Sequence, residues 1–489
     1  MNKELQVGSG MRAAVLLLAL LAAVFAAWAC VEIEMLFAAV GLVTLLIVLA
    51  PFLFLKSYDL FCPWSFVILA IAVLSTPQAI CMSFSFPSVE IVNRMMLLGR
   101  EPAFFIVPAG IFLLGVACLT IGYFGFVRKE QKAGVRIARG MHPRNTVLVL
   151  LGAIMLSILS TAIFVRATGG IESGRISDKR TNIQTLDVAN SDTKQYGHFR
   201  QTSKLSAAAF LVLYSFILCR YERPNAVQNI ALAVALMAAI ALPFYASSRS
   251  QVLWVGIGAL GVNYYLGRGS FWLKCATVGG LGLSFFLLMS VLRNTDSDDA
   301  LASATLSTSF EKLVLNRNGP GLSKTAHIIN SIPGTLEFKY GSTFAEWILA
   351  PIPRAIFPGK PMIGTGPEVG TKVYGTKFSG VPPGYIAELY WNFYIPGVVF
   401  GMLLLGVFLN RLYWFFRSMQ AQREIVVPVY LFSVMPIAFT VLGNSLGFGT
   451  MMRLVDFVTV GLIVYGCSSS LSAITNSVGH VPVRSSSSA

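Results

Sequence analysis

The sequence predicts an all-α integral membrane protein of about twelve transmembrane helices. Three observations lead there: 55% of the 489 residues are hydrophobic, only 12% are charged, and mean hydropathy is +0.70. Soluble domains carry roughly twice that charged share. Apolar runs near the roughly 20 residues that cross a bilayer recur along most of the chain. A net charge of +15 would point to nucleic acid in a soluble protein. Here much of the excess sits in short loops of one parity, where membrane orientation requires it, so no nucleic-acid partner is expected.

The runs are 11–30, 35–55, 61–81, 103–127, 146–165, 205–219, 226–246, 251–266, 275–292, 395–416, 426–443 and 450–467. The first follows Lys3 and Arg12 and ends Ala-Trp-Ala-Cys, which resembles a cleavage site. It is longer than an ordinary signal-peptide core and a second span follows at once, so it is read as a retained helix. Residues 128–144 hold six basic residues against one acid, and Lys56, Arg220, Arg223, Arg268, Lys274, Arg417 and Arg423 fall in loops of the same parity. Both termini are therefore expected in the cytoplasm. Two long segments, 166–204 and 293–394, then face outward, and the cations they carry lie outside the orientation rule. Residues 1–467 read as one polytopic domain, with 293–394 as a cap over an active site. The tail 468–489, ending RSSSSA, is expected to be disordered.

No C-x-x-C pair joins any of the seven cysteines, so neither a disulfide framework nor a zinc site is indicated. The chain has no GxxxxGK[ST] and no HExxH, and neither a cofactor nor a metal is expected. Asp296 and Asp298 form a D-x-D match that reads as a polar loop start, and Glu32 and Glu34 lie in the first outer loop. Asp456 in the last span is placed to pair with Arg453 one turn away, as a structural contact.

Residues 341–401 carry the densest signal. They open with GSTFAEWILAPIPRAIFPGKP and close with GVPPGYIAELYWNFYIPGVVFG at the start of a hydrophobic helix. The apolar part 344–357 is too short to span and contains Pro351 and Pro353, which stop a regular helix. It reads as a segment at the outer membrane boundary, with Trp347 as its anchor and Arg354 at headgroup depth. A guanidinium there matches phosphate oxygens bidentately. Tyr385, Tyr390, Trp391, Phe393 and Tyr394 read as an aromatic belt, with Tyr385 the best candidate to stack on a sugar.

The IPRAIFPGKP run followed by PPGYIAELYWNFYIPGVVFG resembles the bacterial oligosaccharide repeat-unit polymerases, the O-antigen polymerases of the Wzy type. The resemblance is sharpest over 341–401. In that family Gly tends to follow Asn-Phe, whereas here Tyr394 follows Asn392-Phe393, which bears on the backbone at the helix start. The resemblance implies a multi-span protein of the bacterial inner membrane with a large outer loop. It also implies a glycosyl transfer between undecaprenyl-diphosphate-linked oligosaccharides, with a chain-length regulator and a flippase as pathway partners. Within this class of machinery the alternatives are a glycan ligase, or a flippase or exporter of the same lipid.

Such a transfer needs cations over the diphosphate and a base for the acceptor hydroxyl. Arg249, in ASSRSQ between two apolar runs, and Arg354 are the first choices for the diphosphate. Arg166, Arg293, Arg317 and Lys360 complete a cationic outer mouth. For the base the candidates on the outer side are Glu388, His327 and His198.

Overall fold

The computed structural model describes residues 5–126, 141–167, 197–221, 224–245, 248–267, 270–292, 314–349, 352, 356–357, 365–376, 380–419 and 423–468. Helices stand on every apolar run. In the first half they are α1 (Ser9–Ala29), α2 (Leu36–Leu49), α3 (Pro63–Ala70), α4 (Thr76–Ser83), α5 (Ile106–Gly125) and α6 (Pro143–Ala167). A short helix α7 (Gly197–Thr202) precedes α8 (Leu205–Arg220), α9 (Ala226–Tyr245), α10 (Arg249–Leu266) and α11 (Phe271–Leu292). Three short helices follow: α12 (Leu322–Asn330), α13 (Ser342–Ile348) and α14 (Thr365–Lys372). The chain closes with α15 (Tyr385–Ser418), α16 (Arg423–Ser433), α17 (Met435–Thr440) and α18 (Leu446–Cys467). Among the described residues nine helical stretches are long and apolar enough to cross a membrane, and Leu205–Arg220 is apolar but shorter. The chain is a multi-pass, all-α membrane protein. Among the described residues the strands are one two-residue antiparallel pair, Leu5–Gln6 with Ser57–Tyr58.

The packing follows from which faces are apolar. Most of α1 is exposed, as lipid-facing helices are, because hydrocarbon tails solvate Leu as well as a protein core does. In contrast, α2 is buried around most of its circumference. Between α3 and α4 the helix widens for one turn, Ile71–Ser75, just before Pro77, which has no N–H to give the regular ladder. The centre of the bundle is the contact of α5 with α15. A Cβ on Gly122 would collide with the Leu403 carbonyl, and one on Gly406 with the Leu119 carbonyl. Small residues let these two backbones touch, which is how membrane helices gain dispersion contact without a hydrophobic driving force.

Among the described residues the contacts between loops gather at the two ends of the bundle. At one end Asp59 accepts from the Phe61 N–H (2.9 Å) and from the Tyr265 and Tyr413 hydroxyls, both at 2.9 Å. Arg417 donates to Tyr413 at 2.5 Å, and Tyr430 to the Phe61 carbonyl at 2.8 Å. At the same end Arg220 and Met141 meet Glu424. At the opposite end lie Met96, residues 314–349, 365–376 and 384–392, and the start of α18.

The stretch 341–401 departs from expectation. It was read as an irregular, polar rim ahead of a helix starting near residue 395. Instead, residues 385–392 are already helical and buried, and α15 is broken only at Phe393 (φ −139, ψ 15) and Tyr394 (φ 59, ψ −152). The aromatic belt is corrected with it: Tyr385, Tyr390 and Trp391 are buried, and of the five aromatics only Phe393 and Tyr394 are exposed. The backbone at Tyr394 is in a region occupied essentially by glycine, at a strain cost of about 1–3 kcal/mol. Tyr394→Gly should therefore cost no stability in detergent-solubilised protein, while Tyr394→Val should lower the unfolding temperature. A thermal melt of the three proteins checks this, and a Gly variant less stable than the Val variant contradicts it.

Candidate functional site

The segment before the break is held by every element around it. Gly384 starts it at φ 80, and a Cβ there would stand 2.6 Å from the Leu442 carbonyl oxygen, so glycine is required twice over. Tyr385 donates its N–H to the Val441 carbonyl at 3.1 Å. Trp391 donates from Nε1 to the Glu337 carbonyl at 2.7 Å, and the Trp391 carbonyl accepts from the Lys339 N–H at 3.1 Å. Asn392 accepts from the Gly341 N–H at 2.9 Å and donates to Thr343 Oγ1 at 2.8 Å. The Lys339 ammonium lies 5.3 Å from the Trp391 ring centre and pairs with Glu368 at 2.8 Å.

Glu388 is the anchor. Its side chain has no exposed surface. Oε2 accepts from Ser445 Oγ at 2.8 Å and from the Leu446 N–H at 2.6 Å, and Oε1 accepts from the Gly447 N–H at 3.3 Å. Ser445 is the N-cap of α18, and its own side chain makes no capping bond. The carboxylate supplies the cap from another helix, placing negative charge where free N–H groups and the helix dipole favour it. Glu388, read from sequence as a base facing substrate, is thus committed to a structural contact.

Beside it, Lys324 is buried in α12. Its ammonium donates to the Gly443 carbonyl at 3.0 Å and the Asn318 carbonyl at 3.4 Å. Among the described residues no carboxylate comes within ion-pair distance of it. Burial pulls its value from 10.5 down to about 7, because an ammonium loses hydration that carbonyl dipoles replace only in part.

One turn on, His327 is also buried rather than exposed in a loop. Its Nε2 donates to the Met96 carbonyl at 2.9 Å. Its ring lies 5.5, 5.6 and 5.9 Å from those of Phe104, Phe105 and Tyr374. Burial lowers its value, the bond to Met96 opposes that shift, and the Arg100 charge adds to it, so it stays neutral near pH 7. Two guanidiniums flank this aromatic wall: Arg100 lies 5.3 Å from the Phe104 ring centre and Arg317 lies 5.6 Å from that of Tyr374.

Of the cations expected at this end, Arg317 joins the wall and Arg166 is exposed in the last turn of α6. Arg249 begins α10 and His198 lies in α7, but their side chains are not among those described. Arg293, Arg354 and Lys360, and the Asp296–Asp298 pair, lie outside the described residues. Tyr385 is enclosed, and Tyr390 sits against the Tyr394 ring at 4.8 Å, so neither is presented to a sugar. Sequence reasoning missed Arg100 and Lys324. Arg100 follows a helical turn that ends at Leu98 and Gly99, both at positive φ, and only its neighbour Glu101 marked that loop as polar. Lys324 stands among small and apolar residues in GLSKTAHIIN, a pattern that could have flagged a buried amine. No protein-family model, curated protein or solved structure matches this chain.

Two outcomes follow. Removing a helix cap costs about 1–2 kcal/mol, and bonds to a charged acceptor are worth about 1.5–3 kcal/mol each. Glu388→Ala should therefore lower the unfolding temperature sharply and Glu388→Gln less so. A Gln variant of wild-type stability but no activity would instead mark Glu388 as the base. For Lys324, whose folded-state value lies below 10.5, the unfolded chain holds the extra proton between about pH 7 and 10.5. Its contribution to stability thus rises with pH across that window. Melts of Lys324→Met against wild type should show this rise flattened, and an unchanged slope contradicts the assignment.

Proposed function

We propose that this chain is a bacterial inner-membrane glycosyltransferase that joins undecaprenyl-diphosphate-linked oligosaccharide repeats at the extracytoplasmic face. The observation that carries the reading is the aromatic wall of Phe104, His327 and Tyr374, flanked by Arg100 and Arg317. It stands at the end of the bundle that holds residues 314–349 and 365–376. Guanidiniums against rings suit an anionic head group and a sugar face together. The sequence resemblance over 341–401 supplies the reaction class, and within it residues 385–392 form a buried frame at this end.

In this reading the acceptor hydroxyl oxygen bonds to the donor's anomeric carbon, and the bond from that carbon to the diphosphate breaks. The electron pair leaves with the diphosphate, and a base takes the hydroxyl proton. Arg249 and Arg354 are proposed to hold the diphosphate, with Arg100, Arg166, Arg293, Arg317 and Lys360 raising the local positive potential. Among the three base candidates the role passes to His198, since Glu388 and His327 are held in structural hydrogen bonds. A flippase and a chain-length regulator are the expected partners.

Replacing Arg317, Arg354 or Arg249 singly by Ala should shorten cell-surface polysaccharide towards single repeats, with a loss of about tenfold or more for each charge-assisted contact removed. Gel profiles of surface glycan from cells with equal amounts of inserted protein check this. Normal polymer length in all three variants contradicts the proposed roles. Polymer that stays on its carrier lipid would favour a ligase, and repeats trapped facing the cytoplasm a flippase.

A further inference from the structure

Arg317 stands on a turn, residues 314–321, whose backbone is gripped from two sides. From α4, Gln78 donates from Nε2 to the Val314 carbonyl at 3.0 Å and to the Asn316 carbonyl at 3.4 Å. From α12, the Lys324 ammonium donates to the Asn318 carbonyl at 3.4 Å and to the Gly443 carbonyl at 3.0 Å. The residues on both sides of Arg317 are therefore held. The turn also closes on itself. Asn316 accepts from the Asn318 N–H at Oδ1 (3.0 Å) and from the Gly319 N–H at its carbonyl (2.8 Å). A Cβ on Gly321 would collide with Gln78 Oε1, so the glutamine seats against bare backbone.

Gln78 and Lys324 are 4% and 3% exposed, and burying such groups costs free energy that an apolar side chain would not. Both direct their bonds to the turn that bears Arg317. The helix α12 is itself locked to the aromatic wall. Ser323 Oγ and His327 Nε2 donate to the Met96 carbonyl at 2.5 and 2.9 Å, and Asn330 donates to the Phe104 carbonyl at 2.8 Å. These three residues recur at the helical period and share one face of α12. The helix that contributes His327 to the wall thus also supplies the ammonium that ties down Asn318. The Arg317 guanidinium, 5.6 Å from the Tyr374 ring centre, is set in place by the same helix as the wall it flanks.

We propose that Gln78 and Lys324 are positioning residues, which hold the turn 314–321 so that Arg317 meets an anionic head group at the wall in one fixed orientation. That the head group belongs to a diphosphate-linked glycan rests on the proposed function; the holding of Arg317 rests on the two grips alone. A guanidinium reads paired oxygens through a rigid fork, so its value depends on orientation more than a point charge's does. Once freed, Arg317 would still attract anions but would have to be ordered at the moment of binding, and affinity would fall.

The test has two arms, both on the full-length protein in phosphatidylcholine nanodiscs. In the first, phenylglyoxal modification of Arg317 is timed by peptide mass spectrometry, with Arg220 at the opposite end of the bundle as reference. Gln78→Met and Lys324→Met should each speed modification of Arg317 about fivefold or more, the factor that one lost hydrogen bond carries, and leave Arg220 unchanged. An unchanged rate at Arg317, or rates that rise together at both arginines, overturns the proposal; should one variant fail to fold, the other decides it. In the second arm, lengthening of undecaprenyl-diphosphate-linked repeats is timed with and without Arg317→Ala. Each Met substitution should raise KM about fivefold when Arg317 is present and add little when it is absent, because residues that act through one group are not additive. Equal effects in both backgrounds mark a general structural role and overturn the proposal. Faster modification of Arg317 in the variants, with no lengthening by wild type, would sink the enzymatic reading and leave the positioning standing. Lengthening by wild type, with modification of Arg317 indifferent to both substitutions, would do the reverse.

Discussion

One carboxylate ties one end of this molecule together. Glu388 reaches from the first turn of α15 to the first N–H groups of α18, joining two helices far apart in sequence. A charge buried without exposed surface persists only when it is well bonded, and here the helix terminus supplies the bonds. Once that contact forms, Gly384 must pass close to Leu442, the residues up to Asn392 are drawn into the bundle, and the strained turn at Tyr394 follows. The frame so built seats α12, which places Lys324 against the Gly443 carbonyl and His327 against Met96 and Phe104.

The two ends of the bundle are tied by different chemistry. At one end phenols and a backbone N–H surround Asp59, with Arg417 donating to Tyr413 beside it. This is a closed network whose members satisfy one another. At the other end guanidiniums stand against aromatic rings, and Arg453, paired with Asp456, keeps a buried Nε without a hydrogen bond. A satisfied network holds helices together, whereas an unsatisfied cationic one holds charge ready for something else. That asymmetry is the physical reason for placing the proposed transfer at one end only.

Much of the architecture was legible because hydrophobic length is a strong signal: every apolar run carries helix, although the run expected from 395 is helical already from Tyr385 and the run 426–443 is two helices, Arg423–Ser433 and Met435–Thr440. The pairing of Arg453 with Asp456 was also legible, since residues three apart on a helix are neighbours. What sequence could not reveal was depth. Glu388, His327 and Tyr385 look like loop or rim residues because Pro382, Pro383 and Gly384 precede the helix start and polar residues surround α12. Their burial comes from contacts with Leu446, Met96 and Val441, which are distant in the chain. The departure at Tyr394, where the proposed family tends to have Gly, was the one local hint of an unusual backbone, and the break falls there.

The most direct measurement is reconstitution. Purified protein in lipid vesicles, given only undecaprenyl-diphosphate-linked repeats, should produce a ladder of lengthened glycans and release the carrier diphosphate in step. Repeats recovered at their starting length, in vesicles whose protein is folded and correctly oriented, would contradict the account.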